Sequence, residues 1–465
     1  MPLLTRRQFT TALGASALTL PSLQLAAADD GFTALRAAPA KAQLLAEGEA
    51  QTDVWAYGQS VPGPVLRVRQ GERVKVRFFN DLPQPSTVHW HGIRIENAMD
   101  GVAGLTQEAV PTGQSFEYDF IAPDAGTYWY HPHSRTWEQL ARGLYGMLIV
   151  EERDPPSFGL DLPLVIDDWR LTEQGEIHEA SFGAMMDKSH AGRLGNWVTV
   201  NGTSGPTLNV PTNGMVRLRL ANASNARVLV LKPTNLNGQV IAMDGQPLAK
   251  PLAVADSLGL APSQRVDIAF RAPAKPDSTL DLMVQGTDRE IAVASLRTSG
   301  EAKQERAQPV LEPNPLPPLS TLSDALQVEL RMEGGARGTM REARFNGQVL
   351  AIRELVRAGQ AWAFNGVSGR TEDPLFRARR GQTVVVNMIN DTAWPHAMHF
   401  HGHHVQVIEK NGKAVENAPW RDTELMQRDE KIKVAFPADN LGKWMLHCHM
   451  LEHQAAGMAT WFEVT

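Results

Sequence analysis

The sequence predicts an all-β protein, three β-sandwiches in tandem, and three observations carry that prediction. The 465 residues include 38 glycines and 30 prolines, while long helical periodicity is hard to find, the composition of many short strands joined by turns. One strand motif occurs three times along the chain. The first and third copies then stay in register over two further histidine motifs, which the middle copy lacks.

The first 28 residues read as a processing signal. Arg6 and Arg7 precede an apolar stretch from Leu13 to Leu20, and Ala26, Ala27 and Ala28 offer a cleavage site. The paired arginines resemble the twin-arginine export signal of bacteria, so the expected destination is the periplasm. Past that stretch no apolar run approaches membrane-span length. A formal net charge of -6 without a basic stripe argues against nucleic acid as a partner.

The repeat begins at Val68 (VRQGERVKVRFFN, ending at Asn80), returns at Val210 (VPTNGMVRLRLAN, ending at Asn222) and again at Ala378 (ARRGQTVVVNMIN, ending at Asn390). Each is a turn followed by a strand whose alternate side chains are apolar, the period of a half-buried sheet. Domains are therefore expected over 29–154, 155–300 and 326–465. A linker over 301–325, rich in proline and polar residues, joins the last two, and a short helix is expected from Arg135 to Arg142.

Ten of the 14 histidines fall into four tight groups in the two terminal domains. Four His-x-His pairs stand out: His89 and His91, His131 and His133, His399 and His401, His447 and His449. Residues i and i+2 of a strand point to the same side, so each pair presents two imidazoles to one face. Eight such ligands exceed what one ion can use and fit a metal cluster. Cys448, the only cysteine, lies between His447 and His449 and must face the other way. A lone thiol in an exported protein calls for an occupant. His396, His453 and Met458 complete, with Cys448, the two-His, one-Cys and weak-Met set of a blue-copper electron-transfer site. His178, His190, His403 and His404 have no such context and read as solvent or packing residues. Met398, Met445 and Met450 read as packing.

At these motifs the chain resembles the three-domain multicopper oxidases, the family of laccases and bacterial copper-resistance oxidases. The resemblance implies cupredoxin-like Greek-key sandwiches and four coppers per chain. It implies that His396, Cys448, His453 and Met458 hold the type 1 copper and that His89 and His399 hold the type 2. One type 3 copper then falls to His91, His131 and His449, the other to His133, His401 and His447. Pro132 and Ser86 stand in the first domain where the third has Cys448 and His396, so one type 1 centre is expected. Some relatives carry a carboxylate where this chain has Gln454, which leaves Asp100 as the candidate for proton supply to dioxygen.

The implied reaction is one-electron oxidation of a donor coupled to four-electron reduction of dioxygen to water. Electrons are expected to enter at His396 or His453 on the domain surface. The 16 methionines are scattered rather than gathered, Met185 with Met186, Met332 and Met340 coming nearest to a cluster. That favours phenol-like donors over Cu(I), Mn(II) or Fe(II). A non-catalytic scaffold or copper store is the reading from another class, and the complete ligand set argues against it. A monomer is expected.

Overall fold

The computed structural model describes residues 31–233, 236–286, 289–304 and 307–465, so the export-signal reading lies outside the described residues. Strands dominate, and they pair into three sandwiches. The first joins a sheet in the order Thr52–Tyr57, Thr33–Ala42, Arg73–Asn80, Ser115–Ile121 to a second in the order Leu66–Arg69, Gly146–Glu151, Gly126–His131, His89–His91. The middle and third sandwiches each set a six-stranded sheet against a five-stranded one, over residues 160–299 and 326–464.

One pairing scheme serves all three. The strand of each repeat lies parallel to the first strand of its own sandwich: Arg73–Asn80 beside Thr33–Ala42, Met215–Asn222 beside Leu160–Trp169, and Gln382–Asn390 beside Leu326–Gly334. In the first of these every second residue is buried, as the alternation of the sequence requires. Each sandwich encloses its own apolar core, the first around Trp90 and Phe120, the middle around Leu218 and Phe270, the third around Trp362 and Phe436.

The recurrent asparagine has a common physical reason. Asn80 donates to the carbonyls of Gln84 (3.0 Å) and Val110 (2.8 Å) and accepts from the Leu82 amide (3.1 Å). Asn222 does the same with Arg227, Leu260 and Ser224, and Asn390 with Trp394, Gln427 and Thr392. At the end of each motif strand one buried amide thus satisfies three backbone groups of the loops that follow. Those groups would otherwise be stranded away from water.

The expected short helix is present as one α-turn, Thr136–Gln139, continued by a 3-10 turn, Leu140–Arg142. The segment after the middle sandwich does more than connect. Asn314 bonds both the amide and the carbonyl of Ala125 (2.8 and 2.7 Å) and the side chain of Gln246 (2.9 Å), pinning the first sandwich to the middle one. The first and third meet through Asn97, which donates to the Lys443 carbonyl at 2.6 Å, and through the Arg94–Asp439 ion pair at 2.8 Å. These contacts bring the histidine strands of the terminal sandwiches face to face. Among the described residues no helix is long and apolar enough to cross a membrane.

Candidate metal centres

His89 pairs across the sheet with His131, and His399 with His447, so each terminal sandwich contributes one two-strand block of four imidazoles. The blocks meet ring to ring. His91 stacks on His399 with centroids 3.8 Å apart, and His89 lies over His401 at 4.1 Å. All eight rings are buried.

The hydrogen bonds of these rings fix which nitrogens face inward. Nδ1 donates to a carbonyl in His89 (Asp100, 2.7 Å), His131 (Pro132, 2.9 Å), His399 (Asp422, 2.9 Å) and His447 (Cys448, 3.0 Å), which leaves Nε2 as the free base. In His401, Nδ1 is held by the Asp100 carboxylate at 3.0 Å. His91 is turned around: its Nε2 bonds the Asp422 carboxylate at 3.1 Å and its Nδ1 is left without a partner.

This arrangement fits a metal. With both Nδ1 atoms donating outward, His401 Nε2 and His447 Nε2 point lone pairs at each other across 3.1 Å, an unfavourable contact unless a cation lies between. Burial holds the pKa of His131, His133, His401, His447 and His449 well below the ordinary imidazole value, so the rings are neutral and ready to ligate. The triads His89, His399, His401; His89, His91, His131; and His133, His401, His447 each gather their ligand atoms within 4.8 Å.

On the opposite face of the strand Gly442–Cys448, the thiol points away from the cluster. Cys448 Sγ lies 3.6 Å from His396 Nδ1 and 3.8 Å from His453 Nδ1, and those two nitrogens are 3.1 Å apart. His453 Nε2 donates to the His190 carbonyl at 2.7 Å, so its Nδ1 is a lone pair aimed at the sulfur. Burial pushes the Cys448 thiol up to about 12, so the thiolate needs a bound cation to persist. Met458 is buried in the same core and is tied to both neighbours: its carbonyl accepts from the Cys448 amide (3.1 Å) and its amide donates to the His453 carbonyl (2.9 Å).

Matches to known proteins agree with this geometry. Family models described as multicopper oxidase match residues 40–155, 161–301 and 346–465. A multi-copper oxidase of known crystal structure from Pseudomonas thermotolerans is 34% identical, with a TM-score of 0.80 over 93% of this chain and 98% of that one. Lac15 from a marine microbial metagenome is 37% identical, with a TM-score of 0.74 over 93% of this chain and 99% of its own. Multicopper oxidase MmcO of Mycobacterium tuberculosis is 27% identical over 87% of this chain and 82% of its own length.

The chain belongs to the multicopper oxidases. It is therefore an oxidoreductase that binds copper and passes electrons from a reducing substrate to dioxygen, and its cupredoxin-like folds are those that the resemblance implied.

The site is shared between the first and third sandwiches, but two expectations need correction. Neither His396 nor His453 reaches the surface: both are fully buried, His396 capped by Thr392 Oγ1 at 2.8 Å and His453 by the His190 carbonyl. The residues before Arg193 lie over this edge because Glu452, next to His453, accepts from the Arg193 amide at 3.0 Å and from Asn225 at 2.8 Å. His190 is thus part of the setting of the thiolate site and not an incidental residue. His403 and His404 are buried, so of the two roles open to them they take packing; His403 lies among Phe436, Trp444 and Phe462.

Asp100 is buried against the cluster. Its carboxylate bonds His401, and its carbonyl bonds His89. The sequence reading missed Asp422, which does the same from the third sandwich: its carbonyl bonds His399 and its carboxylate bonds His91. Asp100 follows its histidine by 11 residues and Asp422 by 23, so the register that exposed the histidine repeat could not expose this one.

Proposed function

We propose that this enzyme is a laccase-like, four-copper oxidase that takes single electrons from phenol-like donors and reduces dioxygen to water. The observation that carries the reading is the two-faced strand: Cys448 converges with His396 and His453 on one side, while His447 and the cluster imidazoles converge on the other. His396, Cys448, His453 and Met458 would hold the type 1 copper. His89 and His399 would hold the type 2, with His91, His131 and His449 on one type 3 copper and His133, His401 and His447 on the other. When bound, these coppers supply one-electron intake at the thiolate site and four-electron chemistry at the cluster.

The chain's own residues do the rest. The backbone from Cys448 to His447 and His449 joins the two centres covalently. Carbonyls of Asp100, Pro132, Asp422 and Cys448 hold the Nδ1 protons of four rings, so that Nε2 stays unprotonated toward the cluster. The aromatic side chain of Trp129, buried against His91 and His131, helps to exclude bulk water from the imidazole blocks. Asp100 remains the proposed proton carrier, since Gln454 offers no carboxylate at the thiolate end.

Methionine placement supports organic donors. Met332 is buried in the third core and Met340 packs beside Ala343; among the described residues Met186 is the only exposed methionine. A surface site built from several thioethers, suited to Cu(I), is not assembled from these side chains. Export by the twin-arginine route to the periplasm and a monomeric state belong to the same proposal. Oxygen uptake by copper-loaded enzyme, with phenols, Cu(I), Mn(II) and Fe(II) supplied in turn, ranks the donors. Phenols are expected to lead; a cuprous rate higher by orders of magnitude sinks the donor assignment.

A further inference from the structure

The middle sandwich carries none of the cluster histidines, yet it places one charged side chain directly behind them. Arg265, at the start of the strand Arg265–Arg271, is buried, and its guanidinium forks onto Asp422, with Nη1 to Oδ1 at 3.0 Å and Nη2 to Oδ2 at 2.5 Å. Its Nε is held by the Thr127 carbonyl of the first sandwich at 3.1 Å. One side chain therefore ties all three sandwiches together at the back of the metal cluster.

Asp422 passes this anchorage to two rings from opposite blocks. Oδ1 bonds His91 Nε2 at 3.1 Å and also accepts from Thr423 Oγ1 at 2.8 Å, while the backbone carbonyl holds His399 Nδ1 at 2.9 Å. Its oxygens are spent on Arg265, Thr423 and His91, so it is a support for the ligands and not one of them. Burial alone would raise its pKa; Arg265 and the two imidazoles outweigh that and hold it well below the usual carboxylate range.

Gly92 shows how closely the pair is fitted. A Cβ at this residue, whose φ is +86°, would lie 2.2 Å from Arg265 Nη2 and 2.4 Å from Asp422 Oδ2. The glycine after His91 thus makes room for the ion pair. At Gly402, the matching residue of the third sandwich, the same space is filled by the Trp444 ring.

We propose that Arg265 and Asp422 form a positioning pair that sets the orientation and tautomer of His91 and His399, through which the middle sandwich controls copper binding at the cluster. The pair explains why His91 is reversed relative to His89, His131, His399, His401 and His447: an anion locked at its Nε2 keeps the proton there and leaves Nδ1 for the metal. The proposal rests on the reading of His91 and His399 as copper ligands.

The test uses the full chain with Asp422→Asn, Arg265→Met and Arg265→Lys. Copper per chain, visible absorption, electron paramagnetic resonance and apo-protein melting are measured for each beside the wild type. The expected result is that Asp422→Asn and Arg265→Met bind cluster copper about 10- to 100-fold more weakly, with an altered non-blue copper resonance, while the blue absorption of the thiolate site stays. Arg265→Lys, which keeps the charge but not the fork, should recover part of the affinity. Cluster copper and resonance unchanged in Arg265→Met would overturn the proposal. Equal loss of blue and cluster copper together with a lower melting temperature, with no recovery in Arg265→Lys, would overturn it as well. A wild type that holds blue copper but no cluster copper would instead overturn the ligand assignment beneath it.

Discussion

The first and third sandwiches share a register, and they differ most where one gathers a thiol and two imidazoles and the other does not. In the third, His396, Cys448 and His453 converge around one point. In the first, Ser86 occupies the place of His396, Pro132 that of Cys448, and the residue matching His453 by offset is Trp137. Ser86 Oγ there bonds Gln139 Oε1 at 2.7 Å, and Gln139 Nε2 bonds the Pro85 carbonyl at 2.9 Å. The same hairpin thus closes on an ordinary buried hydrogen-bond pair. On the other face both sandwiches keep their imidazoles, and the two sets meet ring to ring. One scaffold therefore carries two independently variable faces.

The largest expected effect removes what distinguishes the third sandwich. Cys448→Ser should abolish the blue absorption and turnover while leaving most of the cluster copper in place, as read by metal analysis with a visible spectrum. Loss of all copper together would show that the two faces are not independent. The next effect probes what the copies share. Asn80→Ala, Asn222→Ala and Asn390→Ala each strip a buried amide from three backbone groups and should each cost about 2–4 kcal/mol, read as a lower denaturation midpoint. A neutral result at any one of them would break the claim that the motif asparagine has one role throughout.

The smallest effect concerns the middle sandwich. Asp167 is buried beside Asp168, and burial followed by that neighbouring charge raises its pKa to about 8. The folded form therefore keeps a proton that the unfolded chain releases near its ordinary value of 3.8. Its contribution to stability is full below that value and is lost as pH rises through about 8. Asp167→Asn should leave the melting temperature unchanged near pH 4 and raise it by a few degrees near pH 9. Parallel melting curves across that range would refute the assignment.

The pseudo-symmetry of the two blocks extends to their acids, with one difference. Asp100 and Asp422 each hold the first histidine of their own block by a carbonyl and the second histidine of the other block by a carboxylate. Asp422 is locked by a buried guanidinium, whereas the ion pairs of Asp100 are with imidazoles. Two acids in matching places are thus given different electrostatic settings by the sandwich that carries no ligand.

Much of this was legible in the sequence. Strand alternation, the motif asparagine and the His-x-His spacing are short-range patterns, and a period of two dictates which side chains share a face whatever surrounds the strand. That is why the ligand groups around Cys448 and the imidazole blocks could be read before any coordinates. Asp422, Arg265 and the His190 carbonyl could not, because each acts across a sandwich boundary on a residue far away in sequence. The surface placement of His396 and His453 failed for the same reason, since what covers a residue depends on chain elements far away in sequence. Local pattern was enough to set the strands, their faces and the kinds of side chain each face presents. Which rings meet, which nitrogen of each is free and which charges stand behind them came from the packing of three separately folded sandwiches.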